Sequence, residues 1–210
     1  MTAFSTHSSK SNPLERVVYS LIAVILICLG QVAMAQSTTE ISQVRVERID
    51  DELLVSAQIG FELPAAVEDA LLKAIPMYFV LQAEIAKERW YWYDKKVVST
   101  DRYIRVAYQP LTRRWRLNVS AGADRSGSSG LVLNQSFDTL QQAMAVVKRV
   151  FRWKIADAGE VDGNSKYKLD LVFRLDLSQL PRPFQIGAIG QSDWDVSASV
   201  VTPLVVDVAK

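Results

Sequence analysis

Residues 89 to 120, RWYWYDKKVVSTDRYIRVAYQPLTRRWRLNVS, interleave aromatic and basic side chains at a spacing of two. Ile104, Val106 and Tyr108 share one parity and Arg105 the other; after a turn at Pro110 to Thr112, Trp115, Leu117 and Val119 alternate with Arg114 and Arg116. Period-two runs of this kind are strands with one apolar and one wet face, and such strands need partners. The partners must come from the flanking sequence.

Upstream, Met77, Phe79, Leu81, Ala83 and Ile85 continue the pattern, but the large apolar residues that follow, Trp90 and Trp92, fall on the opposite parity. A β-bulge within Ala86 to Arg89 would return both sets to the core side. Farther upstream, Ser42 to Ile49 and Leu53 to Phe61 alternate on either side of Asp50-Asp51 and read as a hairpin. Pro64, placed at the first position of a helix, precedes Val67, Ala70, Leu71, Ala74 and Ile75 at helical spacing, and Pro76 ends the run.

Downstream, Ala121 to Gly130 has no apolar content beyond alanine and reads as a loop. Asp138, with Gln141 as capping-box partner, opens a second helix whose buried stripe is Leu140, Ala143, Met144, Val147, Val150 and Phe151. Leu169, Leu171, Phe173, Leu175 and Leu177 form the cleanest apolar strand face, and Phe184 to Val201 supplies one or two closing strands. This order predicts an α+β domain: a twisted antiparallel sheet of about six to eight strands with two short helices packed on one face. A β-sandwich with helical insertions is the alternative.

The first 35 residues read as a cleaved secretory signal, leaving residues 36 to 210 as a single domain. Lys10 and Arg16 precede the apolar run Val17 to Leu29, and Ala33-Met34-Ala35 supplies a small-x-small site with cleavage between Ala35 and Gln36. The run is 13 residues long, short of a membrane span. The alternative is an uncleaved segment anchoring the protein in the inner membrane. Ile25, Leu26 and Ile27 before Cys28 argue against a lipidated cysteine.

Removal of that segment takes away His7 and Cys28, the only histidine and the only cysteine, and leaves 22 basic and 22 acidic residues. Such a chain has no Cys or His zinc site, no Ser-His-Asp triad, no cysteine nucleophile and no disulfide. Balanced charge and export give no argument for nucleic acid as a partner. No second apolar run approaches spanning length.

Five stretches carry a resemblance. RWYWYD at 89 to 94, RVAYQPLTRRWRL at 105 to 117, SFDTLQQAM at 136 to 144, RWKIAD at 152 to 157 and LDLSQLPRPFQIGAI at 175 to 189, followed by SDW at 192 to 194, resemble in the same order the exported proteobacterial family known as domain of unknown function 4390. The resemblance implies a signal peptide and a periplasmic or envelope location, and it brings no catalytic residue or cofactor. It also implies, through gene neighbourhood, a link to a membrane sensor histidine kinase and so a signalling accessory. The chain departs from the family pattern after SDW, where VSASVVTPLVV replaces an expected tryptophan-rich end.

Between residues 89 and 116 eight basic residues face two acidic ones. Trp90, Trp92, Arg102, Arg105, Arg114 and Arg116 are therefore the candidate interaction face, suited to anionic lipid, phosphorylated glycan or an acidic partner. The plain reading of the same residues is a solvated strand face with cross-strand ion pairs. Asp157, Glu160 and Asp162 suggest a calcium loop but lack its spacing. Asp170 and Asp176, six residues apart, stand about 20 Å apart at strand rise, too far to flank one glycosidic bond.

The function expected from these residues is that of an exported binding or accessory protein, without cofactor or enzymatic activity, acting on an envelope component through its surface. The alternatives are a carrier of an apolar or anionic lipid-like ligand between helices and sheet, lined by Leu169 to Leu177 and Met144, and a carboxylate-dependent hydrolase.

Overall fold

Asp50 and Asp51 form a two-residue link between β1 (Glu40–Ile49) and β2 (Glu52–Gly60), and Asp50 takes the left-handed conformation, φ 52°, that aspartate tolerates. Leu53, Val55, Ala57 and Ile59 turn inward from β2, as their parity requires. The computed structural model describes residues 39–89, 93–121, 133–162, 165–188 and 194–208.

Helix α1 (Ala65–Leu72) buries Val67, Ala70 and Leu71; Pro64 stands just outside it as an extended N-cap residue. Ala74 then adopts φ 61° to release the chain toward β3 (Met77–Lys87). β3 is an inner strand with Met77, Phe79, Leu81, Ala83 and Ile85 facing the core. It pairs with β4 (Lys95–Gln109) on one side and β8 (Tyr167–Leu175) on the other, both antiparallel.

The bulge expected within Ala86 to Arg89 belongs instead to the partner strand. Ile85 faces Val98 and Ala86 faces Lys96, which leaves Val97 of β4 as the extra residue. Parity within one strand cannot tell which member of a pair carries the insertion.

Four residues connect β4 to β5 (Arg114–Ala121), with Arg113 at φ 52°, and β6 (Leu133–Phe137) forms the edge beyond β5. Helix α2 (Leu140–Val147) is capped by Thr139 rather than Asp138. The Thr139 hydroxyl accepts from the Gln142 N–H at 3.3 Å, while the Gln142 side chain accepts from the Asp138 N–H. The helix is also shorter than its apolar stripe suggested. The chain turns at Lys148 into β7 (Arg149–Asp157), where Val150, Trp153 and Ile155 face inward and Phe151 is 61% exposed. Pairing with β2 imposes this change of period, since the β7 backbone, at the edge of its sheet, satisfies the donors and acceptors of its one paired side along that ladder.

A single 3-10 turn (Ala158–Glu160) precedes β8, and another (Leu177–Gln179) follows it. The segment read as closing strands begins instead with a third helix, α3 (Arg182–Ala188), in which Phe184 and Gln185 donate to the Pro181 carbonyl. Prolines in a first helical turn lose no internal hydrogen bond, so Pro181 and Pro183 start this helix. Trp194 is buried, and VSASVVTPLVV supplies β9 (Ser197–Pro203) and the start of β10 (Val206–Val208).

The class is α+β. Its strands divide between two sheets, ordered β10-β1-β2-β7 and β6-β5-β4-β3-β8-β9, with β10 parallel to β1 and every other pair antiparallel. The inner faces of both sheets, together with α1 and α2, enclose one apolar core. At its centre Phe61, Phe79 and Phe173 lie 5.4 to 5.9 Å apart between ring centroids. No helix of the described residues is long and apolar enough to cross a membrane.

Candidate functional site

Of the residues singled out as an interaction face, Trp90 and Trp92 lie outside the described residues, as do Ala35 and Gln36 at the expected cleavage site. The four arginines divide between two faces of the six-stranded sheet. Arg105, Arg114 and Arg116 point outward and Arg102 points inward, on the parity of Ile104 and Val106.

Two of the outward arginines are engaged within the fold. Arg105 Nε donates to the Tyr78 hydroxyl at 3.2 Å. Arg114 reaches Asp138 Oδ1 with Nε at 3.1 Å and Nη2 at 2.9 Å. This pair is half exposed or more on both sides, which limits its worth to about 1 kcal/mol or less. Arg116 is exposed between Ala107 of β4 and Ser136 of β6. The outward arginines thus form a flat, solvated sheet face.

The acids singled out from the sequence each have their own surroundings. Glu160 accepts from the Asp157 N–H while Lys154 Nζ meets Asp157 Oδ1 at 2.9 Å, a capping arrangement closed by a cation. Asp162 instead turns to Lys87, 3.0 Å away. Asp176 is buried and accepts from both the N–H and the hydroxyl of Ser178, capping the second 3-10 turn. Asp170 sits on the outer face opposite Glu84. Among the described residues no group of three or more His, Cys, Asp or Glu could hold a metal ion.

Two of these contacts move titrations. The Ser165 hydroxyl first, and then Lys87, stabilise ionised Asp162 and bring its pKa down from 3.8 to about 2. Lys154 is held above its ordinary range by hydrogen bonds to Glu52 first and Asp157 second. A carboxylate with a depressed folded pKa adds stability above its unfolded pKa and loses it as pH falls through the folded one. An NMR titration of the Asp162 carboxyl therefore has its midpoint near 2, Ser165→Ala raises it most and Lys87→Ala raises it less; a wild-type midpoint at 3.8 would refute the arrangement.

A cleft lies between the sheets. It opens between β7 of one sheet and β4 and β5 of the other, with a volume of about 400 Å³. Val98 and Thr100 of β4 and Ala121 of β5 line one side, and Trp153 to Asp157 of β7, with Glu160, line the other. Trp153, Ile155 and Ala156 are buried side chains that form its apolar wall. Lys154 stands at its rim, tied to Glu52 at 2.8 Å and to Asp157. It is an open groove with five apolar lining residues and four polar ones, Thr100, Lys154, Asp157 and Glu160, and its volume would admit an alkyl chain.

The cavity expected between the helices and the Leu169 to Leu177 face is a different place. Leu169, Leu171, Phe173 and Met144 are packed into the core. Sequence parity places Val98, Thr100 and Arg102 on one face, but the separation of β7 from that face depends on contacts between remote strands. Two irregularities in the β2–β7 pairing, each giving β7 an extra residue, shape that strand beside the cleft.

The family model of a domain of unknown function, DUF4390, matches residues 36–202. No curated protein and no solved structure matches the chain.

Proposed function

From the premise that the chain belongs to the DUF4390 family, we propose that it is an exported, periplasmic binding protein that holds the apolar part of an envelope amphiphile in the cleft between its two sheets. The cleft itself carries this reading. It combines an apolar wall built from Trp153, Ile155 and Ala156 with a polar rim. The role is carriage or presentation of a ligand, without covalent chemistry.

A second reading keeps the outward arginines in play. Arg116 is exposed beside Arg105 and Arg114, and an acidic segment of a membrane protein, such as a sensor histidine kinase, would complement them. The two readings separate in one experiment. The full chain, exported from bacterial cells and purified without detergent, is titrated with the neutral fluorophore N-phenyl-1-naphthylamine. Saturable binding that Ala121→Trp abolishes by filling the cleft, and that changing Arg105, Arg114 and Arg116 together to Ser leaves intact, supports the cleft. Binding indifferent to Ala121→Trp, or none, overturns it and returns the arginine face to first place.

A further inference from the structure

Arg102 is out of place by every rule that put its neighbours where they are. The β3–β4 register runs unbroken from Met77 opposite Val106 to Ile85 opposite Val98, so Arg102 rises from the same face as Val98, Thr100, Ile104 and Val106. Directly opposite it stand Leu81, which is buried, and Ala121, which lines the cleft. Thr100, two residues along the strand, lines the cleft as well.

Among the described residues the guanidinium makes no hydrogen bond and no ion pair, and burial alone, with no compensating carboxylate, pulls its pKa below the usual value. The group nonetheless stays charged. Arg102 is half-buried and stands beside the lining of the cleft, so a partly shielded guanidinium with no acceptor among the described residues is available to an anion bound there.

We propose that Arg102 is the head-group receptor of the cleft and that the ligand is a single-chain amphiphile ending in an oxyanion, a carboxylate or a phosphate. This rests on the cleft reading above and adds the chemistry of the ligand to it. Directly paired positions on adjacent strands are about 5 Å apart and alternate residues on one strand about 7 Å apart, distances an arginine side chain spans. The planar fork of donors suits a two-oxygen anion, and the walls at Trp153 and Ile155 receive the chain. Lys154, already neutralised by Glu52 and Asp157, is left at the rim with no part in head-group choice.

The test uses displacement of N-phenyl-1-naphthylamine from the full chain. Dodecanoate and dodecyl phosphate compete at least tenfold more tightly than dodecanol or dodecyltrimethylammonium, a difference matching one charge-assisted hydrogen-bonded pair. Acetate and inorganic phosphate, which lack the chain, do not compete. Arg102→Met keeps the aliphatic stem and brings the affinities of dodecanoate and dodecanol, compared within the same variant, to within about twofold of each other.

Arg102→Met also raises the midpoint of thermal unfolding of the ligand-free protein, because it removes an unpaired charge from the inner face. If dodecanol competes as well as dodecanoate while Ala121→Trp still blocks the fluorophore, the cleft stands and the head-group assignment falls. A lower unfolding midpoint for Arg102→Met reveals a structural partner for the guanidinium and overturns the assignment as well.

Discussion

Phe173→Ala destabilises the protein by about 3–5 kcal/mol, the range for deleting a fully buried aromatic side chain. Phe173 is 0% exposed, stacks on Phe79 with an interplanar angle of 4° and meets Phe61 at 5.4 Å. Phe79 and Phe173 belong to the six-stranded sheet and Phe61 follows the last strand of the hairpin, so the truncation removes contacts that join the two sheets. Urea unfolding followed by tryptophan fluorescence measures the loss as a lower midpoint at unchanged slope. A loss below 1 kcal/mol would mean that the three rings do not form the centre of the core.

Trp153→Ala costs about 3 kcal/mol, the lower end of the same range. The indole is only 7% exposed, and its residue pairs with Val55, yet part of it borders the cleft. A side chain that already faces a void has fewer packing contacts to lose. The same unfolding experiment checks the figure. A cost as large as that of Phe173→Ala would mean that the cleft closes over the indole in solution.

Most strands were legible because each carries its own parity. Met77 to Ile85, Ile104 to Tyr108, Trp115 to Val119 and Leu169 to Leu175 face the core as alternation dictates. Errors arose where a local pattern competes with a partner that the sequence does not name. Val150 and Phe151 fit the stripe of α2, but hydrogen bonding to β2 takes the chain out of the helix at Lys148 and leaves Phe151 outside, between the guanidinium groups of Arg149 and Arg152. Phe184 to Ala188 lacks strand alternation, and prolines read as breakers serve as helix starters.

The division into two sheets was hidden for a related reason: alternation reports that a face is covered, never by what. The candidate site divides similarly. Arg102 differs from Arg105 by an odd number of residues, so its inward direction was present in the parity that identified Ile104 and Val106 as core. Treating the basic stretch as one charged surface obscured it. The cleft had no comparable signal, because its walls come from residues 98, 100, 121, 153 to 157 and 160.

The parallel pairing of β10 with β1 sets Val46 beside Val206 and Arg48 beside Val208, joining segments 160 residues apart in the chain. Contacts between residues so distant in the chain bring the largest loop-closure entropy of any in the fold and belong to the slow class of folding events. The hairpin of β1 and β2 can form as soon as those residues are made, but its outer edge stays open until residues 206 to 208 follow. Until then β1 offers unpaired backbone to any passing strand. Residues 206 to 208 therefore act as a latch, and the interval before it closes is one in which this protein is exposed to aggregation.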